Sequence, residues 1–314
     1  MKNKKFYYPL WIIASVILVL FLCIFADWLL GLNIVDSALN AKNKAYLASK
    51  GVLETHQFKD DAKFYLKGNR LYKEDIQTGE KICIATNCRE FLLTEDNVFY
   101  TQVCEDYSRP LFYADYDEKN PTEIVRDASW FCEYKGNIVY IGEHSEDDLD
   151  ESLFSFSLDI REPKEIYNLY NSKYNGLGGG DYIHLSKNSV IVVRQNEQVV
   201  ERYFLDYDGV EEIDIKQILP DSDIAKRHEP AMESVAFNDD FIFLSIAAIK
   251  DYQFAYHYIE SDKNGLWKVN IETGEAEKIS DQIFIEVYAD NDYVYGIKKS
   301  LLSRKLYEFP VETG

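Results

Sequence analysis

Four aromatic residues at every second position, Tyr252, Phe254, Tyr256 and Tyr258, are the residues here best suited to contact a partner. An extended hairpin would present them as a row to one side, and such rings stack on sugars or proline-rich peptides and anchor protein interfaces. Tyr107, Tyr170 and Tyr174 lie in other long segments and could join them. The competing expectation is that the row packs on its own neighbouring loop. A second cluster is acidic: Glu143, Glu146, Asp147, Asp148, Asp150 and Glu151. Hard cations take several such oxygens, so the cluster is a candidate Ca2+ site, although it lacks the sixth-position glycine of an EF-hand loop. A solvated charged loop is the alternative.

Other catalytic patterns are absent from the sequence. His56, His144, His184, His228 and His257 are scattered without metal-ligand spacing. The run from Gly176 to Gly180 precedes a strand pattern, and a phosphate cradle needs a helix N-terminus there. There is no Gly-x-Ser-x-Gly elbow. Four cysteines follow the N-terminal apolar segment: Cys83, Cys88, Cys104 and Cys132. An even number in an oxidising compartment permits disulfides. A hairpin turning at Asp96-Asn97 brings Cys88 opposite Cys104, which is the expected bridge. Cys83–Cys88 is the alternative, and Cys132 is then a buried thiol.

The elements that must position these residues repeat. A leucine-aromatic phrase recurs at Leu71-Tyr72, Leu111-Phe112, Leu153-Phe154, Leu266-Trp267 and Leu306-Tyr307, with a variant at Arg202-Tyr203-Phe204. The steps are roughly 40 to 64 residues, in or near the range of propeller repeats. Around each phrase stand four apolar-alternating runs separated by turn residues such as Asp96-Asn97, Lys135-Gly136-Asn137 and Asn238-Asp239-Asp240. This predicts an all-β, six-bladed β-propeller over 51–314, with an extended sandwich array as the other reading. The sixth unit stops after its third strand, so a piece of 30–50 is expected to supply the missing one. Otherwise that blade stays three-stranded.

The short turns fall at one end of every unit. The long segments Glu105–Pro110, Glu143–Ser152, Asn168–Asp181, Lys216–Met232 and Ala247–Gly265 fall at the other, which is where a repeat scaffold usually binds.

The chain begins with Lys2, Lys4 and Lys5 and an uncharged run over 6–26, flanked by Tyr7, Tyr8, Trp11 and Trp28. That length and pattern predict a transmembrane helix with a cytoplasmic tail over 1–5 and the C-terminal domain extracytoplasmic at the cell membrane. Residues 27–50 read as a juxtamembrane linker, either a short helix or a stalk. Cleavage after Ala26 or lipidation at Cys23 would need better processing sites than these. The net charge is −20, and removing the three lysines leaves 31 basic against 54 acidic residues. That excludes a nucleic-acid partner, which demands basic patches.

Phe64-Tyr65, Leu71-Tyr72, Thr78-Gly79 and Ile82, with their counterparts Leu266-Trp267-Lys268-Val269-Asn270, Thr273-Gly274 and Ile279, resemble the repeat of a bacterial domain of unknown function. That domain is similar to the six-bladed YWTD propellers of low-density-lipoprotein receptors. The resemblance covers about 51–314 and implies the scaffold and its blade count. It implies no activity, and no copy carries a full Tyr-Trp-Thr-Asp. The chain therefore reads as a non-catalytic membrane-anchored module binding a protein or a cell-envelope glycan. The rival is a hydrolase or lyase with Glu90, Glu133, His184 and Glu233 lining a central channel. A sensor ectodomain would have to signal through a membrane partner.

Overall fold

Strict alternation punctuated by Asp, Asn and Gly at hairpin positions drives this chain into consecutive antiparallel sheets. The computed structural model describes residues 34–53, 56–106, 108–116, 121–143, 151–169, 181–195, 197–220, 228–252, 255–300 and 303–311. Among the described residues, one helix, α1 (Ile34–Ser49), precedes the sheets. Sheet 1 holds β1 (His56–Lys59), β2 (Ala62–Leu66), β3 (Arg70–Asp75) and β4 (Lys81–Thr86). Sheet 2 holds β5 (Cys88–Leu93), β6 (Asn97–Gln102), β7 (Leu111–Asp115) and β8 (Thr122–Val125). Sheet 3 holds β9 (Asp127–Tyr134), β10 (Asn137–Glu143), β11 (Ser152–Phe156) and β12 (Pro163–Asn168). Sheet 4 holds β13 (Tyr182–Ser186), β14 (Ser189–Arg194), β15 (Val199–Phe204) and β16 (Val210–Ile213). Sheet 5 holds β17 (His228–Phe237), β18 (Phe241–Tyr252), β19 (Ala255–Tyr258), β20 (Gly265–Asn270) and β21 (Ala276–Ser280). Sheet 6 holds β22 (Glu286–Ala289), β23 (Tyr293–Ser300) and β24 (Ser303–Pro310). Apart from β19, strands neighbour one another in chain order within every sheet, so the architecture is nearly all-β and propeller-like.

The core is a series of inter-sheet layers, because inner strands such as β6, β10 and β14 are buried on both faces. Leu71, Ala85, Val98 and Tyr100 join sheets 1 and 2, and Phe99, Tyr113, Tyr140 and Phe156 join sheets 2 and 3. Val139, Ile141, Val190 and Tyr203 join sheets 3 and 4, Ile191, Val200, Ile242 and Leu244 join sheets 4 and 5, and Phe243, Leu266, Phe284 and Val294 join sheets 5 and 6.

The recurring phrase has a local cause at its C-terminal end. Asp75 Oδ1 accepts from the Gln77 and Thr78 amides at 2.9 and 2.7 Å. Asn270 Oδ1 accepts from the Glu272 and Thr273 amides at 2.8 and 2.9 Å. Each turn then closes at a glycine with positive φ, +72° at Gly79 and +71° at Gly274. The acid or amide after the phrase therefore builds the next turn.

The sixth sheet corrects the sequence expectation. It has three strands, and the chain before it supplies a helix instead of a fourth. Alternation along β23 sends Val294 toward sheet 5. It sends Tyr295 and Ile297 to the other face, where they meet Leu47 of α1, which is fully buried. Burying one leucine stabilises by about 1.5–3 kcal/mol. Asn40 donates to Glu286 at 2.9 Å, Asn43 to the Arg304 carbonyl at 3.0 Å, and Tyr46 to Glu308 at 3.1 Å. The helix ends where Val52 N–H bonds the Leu47 carbonyl and Gly51 N–H the Ala48 carbonyl, with Gly51 at φ +77°. This paired closure at a left-handed glycine ends a helix and leaves no segment free to run on as a strand. Among the described residues no helix is long and apolar enough to cross a membrane. The expected span over 6–26 lies outside them.

Candidate functional site

Antiparallel topology puts the turn between the first and second strands of each sheet and the turn between the third and fourth at one end, and cross-sheet contacts align those ends. Ser186 Oγ donates to the Asp239 carbonyl at 2.8 Å and Asn238 Nδ2 to the Asp290 carbonyl at 3.2 Å. Lys135 pairs with Asp206 at 2.7 Å. At the opposite end, Gln195 of sheet 4 reaches the Met232 carbonyl of sheet 5. The long connectors accordingly share one end of sheets 4 to 6.

Sheet 5 is extended at that end. β18 pairs with β20 only over Phe241–Ile246. Beyond Ile246 it continues to Tyr252, flanked by β17 and by β19. Six further residues at about 3.4 Å each make a ribbon that overruns the sheet by roughly 20 Å. In the backbone register of β18 and β19, Tyr252 stands opposite Ala255, Tyr256 opposite Asp251 and Tyr258 opposite Ile249. Phe254, Tyr107, Tyr170 and Tyr174 lie outside the described residues.

Tyr258 is 51% exposed at the ribbon's base. Glu233 on β17 lies beside it. Burial, then the nearby Glu233, pushes the Tyr258 phenol up to about 12. Burial also raises Glu233, which its approach to Tyr258 partly opposes. Both shifts favour the neutral forms, so this pair is unsuited to supply a phenolate nucleophile.

The Tyr258 ring forms one wall of a groove of about 770 Å3 between sheets 5 and 6. The chain leaving β19 is tightly held. The Ile259 amide bonds the Ala248 carbonyl at 2.9 Å, and Asn264 Oδ1 accepts from the Ala248 amide at 2.7 Å. Trp267 Nε1 reaches the Lys263 carbonyl and Lys278 Nζ the Asp262 carbonyl, both at 2.8 Å. Gly265 then starts β20 at φ +140°, where a Cβ would lie 2.1 Å from the Ser280 carbonyl. The second wall comes from sheet 6 and the turn before it, through Gln282, Ile285, Lys298 and Lys299. Sequence reasoning flagged the first wall as part of a long segment. It missed the second, whose residues sit in ordinary strand and turn patterns.

A larger groove of about 1180 Å3 lies at the short-turn end, between sheets 4 and 5. It is lined by Glu211, Glu212, Asp214, Asp240, Glu272, Glu275 and Glu277, with Lys268 as its single basic residue.

The remaining expected site residues do not converge. Burial raises Glu143, as does Asp127, against the opposing pull of Arg109. Glu146, Asp147, Asp148 and Asp150 lie outside the described residues, and among those described no group of three or more His, Cys, Asp or Glu is arranged to hold a metal. Cys88 and Cys104 are both free thiols, as are Cys83 and Cys132, which corrects the expected bridge. Cys88 opposes Gln102, and a bulge separates it from the Glu90–Thr101 pair. The turn is centred one residue earlier than expected, so Cys104 falls beyond the paired strand.

The four candidate channel residues each occupy a separate neighbourhood. Glu90 bonds Thr101 at 3.3 Å, and burial raises it. His184 stacks on Phe237 at 4.8 Å. Glu233 lies beside Tyr258, and Glu133 is exposed.

A scan against protein-family models finds no match, and neither does comparison with curated proteins. Among solved structures, the chain is similar to the extracellular domain of BT4673 from B. thetaiotaomicron, at 11% identity and a TM-score of 0.46, over 77% of this chain and 31% of that one. The chain thus spans about a third of that domain's length. It is also similar to the β-propeller domain of the Trilobed protease from Pyrococcus furiosus, at 12% identity and TM-score 0.40, over 82% and 96%. A third likeness is a puromycin-hydrolyzing peptidase of Mycobacterium tuberculosis, at 12% identity and TM-score 0.48, over 81% and 42%.

Proposed function

We propose that this chain is a non-catalytic binding module: a six-bladed, YWTD-like propeller carried outside the cell by an N-terminal membrane helix, with its long-connector end turned to a protein or glycan of the envelope. The observation that carries this reading is the ribbon of β17, β18 and β19. It overruns its sheet at the one end where long connectors gather, and a rigid groove opens at its base. Scaffold repeats need no such extension of one strand beyond its sheet. Binding at that end gives the extension a purpose.

The test is a pull-down from envelope extracts with the full chain, compared with a variant in which 250–257 is replaced by a two-residue Asn-Gly turn. Loss of specific partners with the thermal midpoint retained supports the reading. An unchanged partner list overturns it. The hydrolase or lyase reading gains nothing from the geometry, because Glu90, His184 and Glu233 each face different neighbours and Glu133 is exposed.

A further inference from the structure

The groove between sheets 5 and 6 has a composition that selects among ligand classes. In a chain of net charge −20, its charged lining is balanced: Glu260, Asp262 and Asp281 against Lys278, Lys298 and Lys299. Two of these lysines are engaged by the groove's own walls. Lys278 pairs with Asp281 at 2.6 Å and also reaches the Asp262 carbonyl. Lys298 donates to Gln282 Oε1 at 3.4 Å. An anionic ligand would have to displace those partners, and a cationic one would have to displace Lys278 from Asp281. Neither has a net field to draw it in.

What the groove offers instead is amphipathic. The Tyr258 ring, half exposed and with Glu233 beside it, lines the groove together with the partly buried Ile283 and Ile285. Donors and acceptors of both kinds stand around them. A sugar ring matches this pattern, with a C–H face for the aromatic and aliphatic surface and hydroxyls that both donate and accept. The pinned 259–264 segment means that little ordering cost is left for binding. The volume lies within the usual range for small-ligand sites.

We propose that this groove is a saccharide subsite that takes a neutral oligosaccharide stacked on Tyr258. This rests on the binding-module reading above.

The experiment titrates the full chain in lipid nanodiscs with cellohexaose, maltohexaose and N-acetylated chitohexaose. Binding is followed by ligand-observed NMR and calorimetry at 50 and 500 mM NaCl. At least one hexasaccharide binds, with an affinity that changes less than about twofold between the two salts, because no ion pair forms. Tyr258→Ala weakens it about tenfold through loss of the stacking face. Tyr258→Phe keeps the ring and stays within about threefold. Lys299→Glu weakens it less than Tyr258→Ala does, since a neutral ligand is read by the stacking face more than by that charge. Unchanged thermal midpoints show that the variants are folded.

Binding of none of the three sugars overturns the proposal. So does a Lys299→Glu effect larger than that of Tyr258→Ala. A neutral proline-rich peptide serves as the second arm. If it binds with Tyr258 dependence and the sugars do not, the saccharide inference falls while the binding-module reading stands. If neither binds and the envelope partner list is also independent of the ribbon, both fall.

Discussion

The two ends of sheets 4 and 5 are held by opposite means. At the short-turn end each tie has at least one partner in solvent: Lys187 to Asp240 at 2.6 Å, with both side chains about half exposed, and the buried Arg202 to the half-exposed Glu272 at 2.9 Å. At the long-connector end the ties are buried. Arg194 is wholly inaccessible, bonds Glu201 at 2.5 Å and lies 3.8 Å from Asp181. Tyr203 adds a hydroxyl to the same Glu201 carboxylate at 2.9 Å. Asp181 closes one long connector and accepts from the Gln195 amide at 3.1 Å. Gln195 in turn holds Met232, where the next long connector ends. Short turns fix themselves through local hydrogen bonds, so charge there can stay in water. Long connectors have no such local geometry, and a buried charged network fixes their roots.

The largest break in this comparison comes from Arg194→Ala. It strands Glu201 and Asp181 without their counter-charge, and removing one partner of a buried pair costs about 3–5 kcal/mol. Chemical denaturation measures the loss, and proteolysis within 170–180 should accelerate with it. Asn270→Ala comes next. It removes the acceptor that closes one short turn, costing about 1 kcal/mol and lowering the denaturation midpoint without a change in slope. Lys187→Met has the smallest effect, within about 0.5 kcal/mol, because an exposed pair is largely screened.

Acidity separates the ends as well. Glu90 and Glu233 are raised, in each case first by burial. Their folded forms bind protons more readily than the unfolded chain, so their contribution to stability falls as pH rises from the ordinary carboxylate range through the folded values. Asp75 and Asp206 at the short turns are lowered, Asp75 by the Thr78 amide above all and Asp206 by Lys135. Their contribution is present above the ordinary aspartate value and is lost as pH falls below it. Denaturation midpoints between pH 3 and 7 should therefore rise with pH less steeply in the double variant Asp75→Asn, Asp206→Asn. In Glu90→Gln, Glu233→Gln the decline toward neutrality should be removed.

Much of the scaffold was legible because hairpin chemistry is local. β2, β3, β5 and β8 have the bounds their alternation and turns dictate. In sheet 4 the variant phrase Arg202-Tyr203-Phe204 ends its strand, which runs over Val199–Phe204, whereas Leu71-Tyr72 and Leu111-Phe112 stand near the starts of theirs. Tyr207 lies beyond that strand, is 56% exposed and stacks on Phe204 from the turn. The closure of sheet 6 was illegible for a different reason. A segment whose apolar residues fit a loose helix or an edge strand takes the form that best covers Tyr295 and Ile297, and those lie some 250 residues away.

The same division holds for the candidate site. Sequence alone determined the repeat, the turns, the end at which connectors lengthen and Tyr258 as a residue of interest, because each depends on neighbours within a few positions. Only the tertiary structure decided that Glu233 stands beside Tyr258, that β18 runs on beyond its pairing with β20, and that sheet 6 supplies the second wall. These are contacts between distant strands, set by how sheets stack, and no local pattern encodes them.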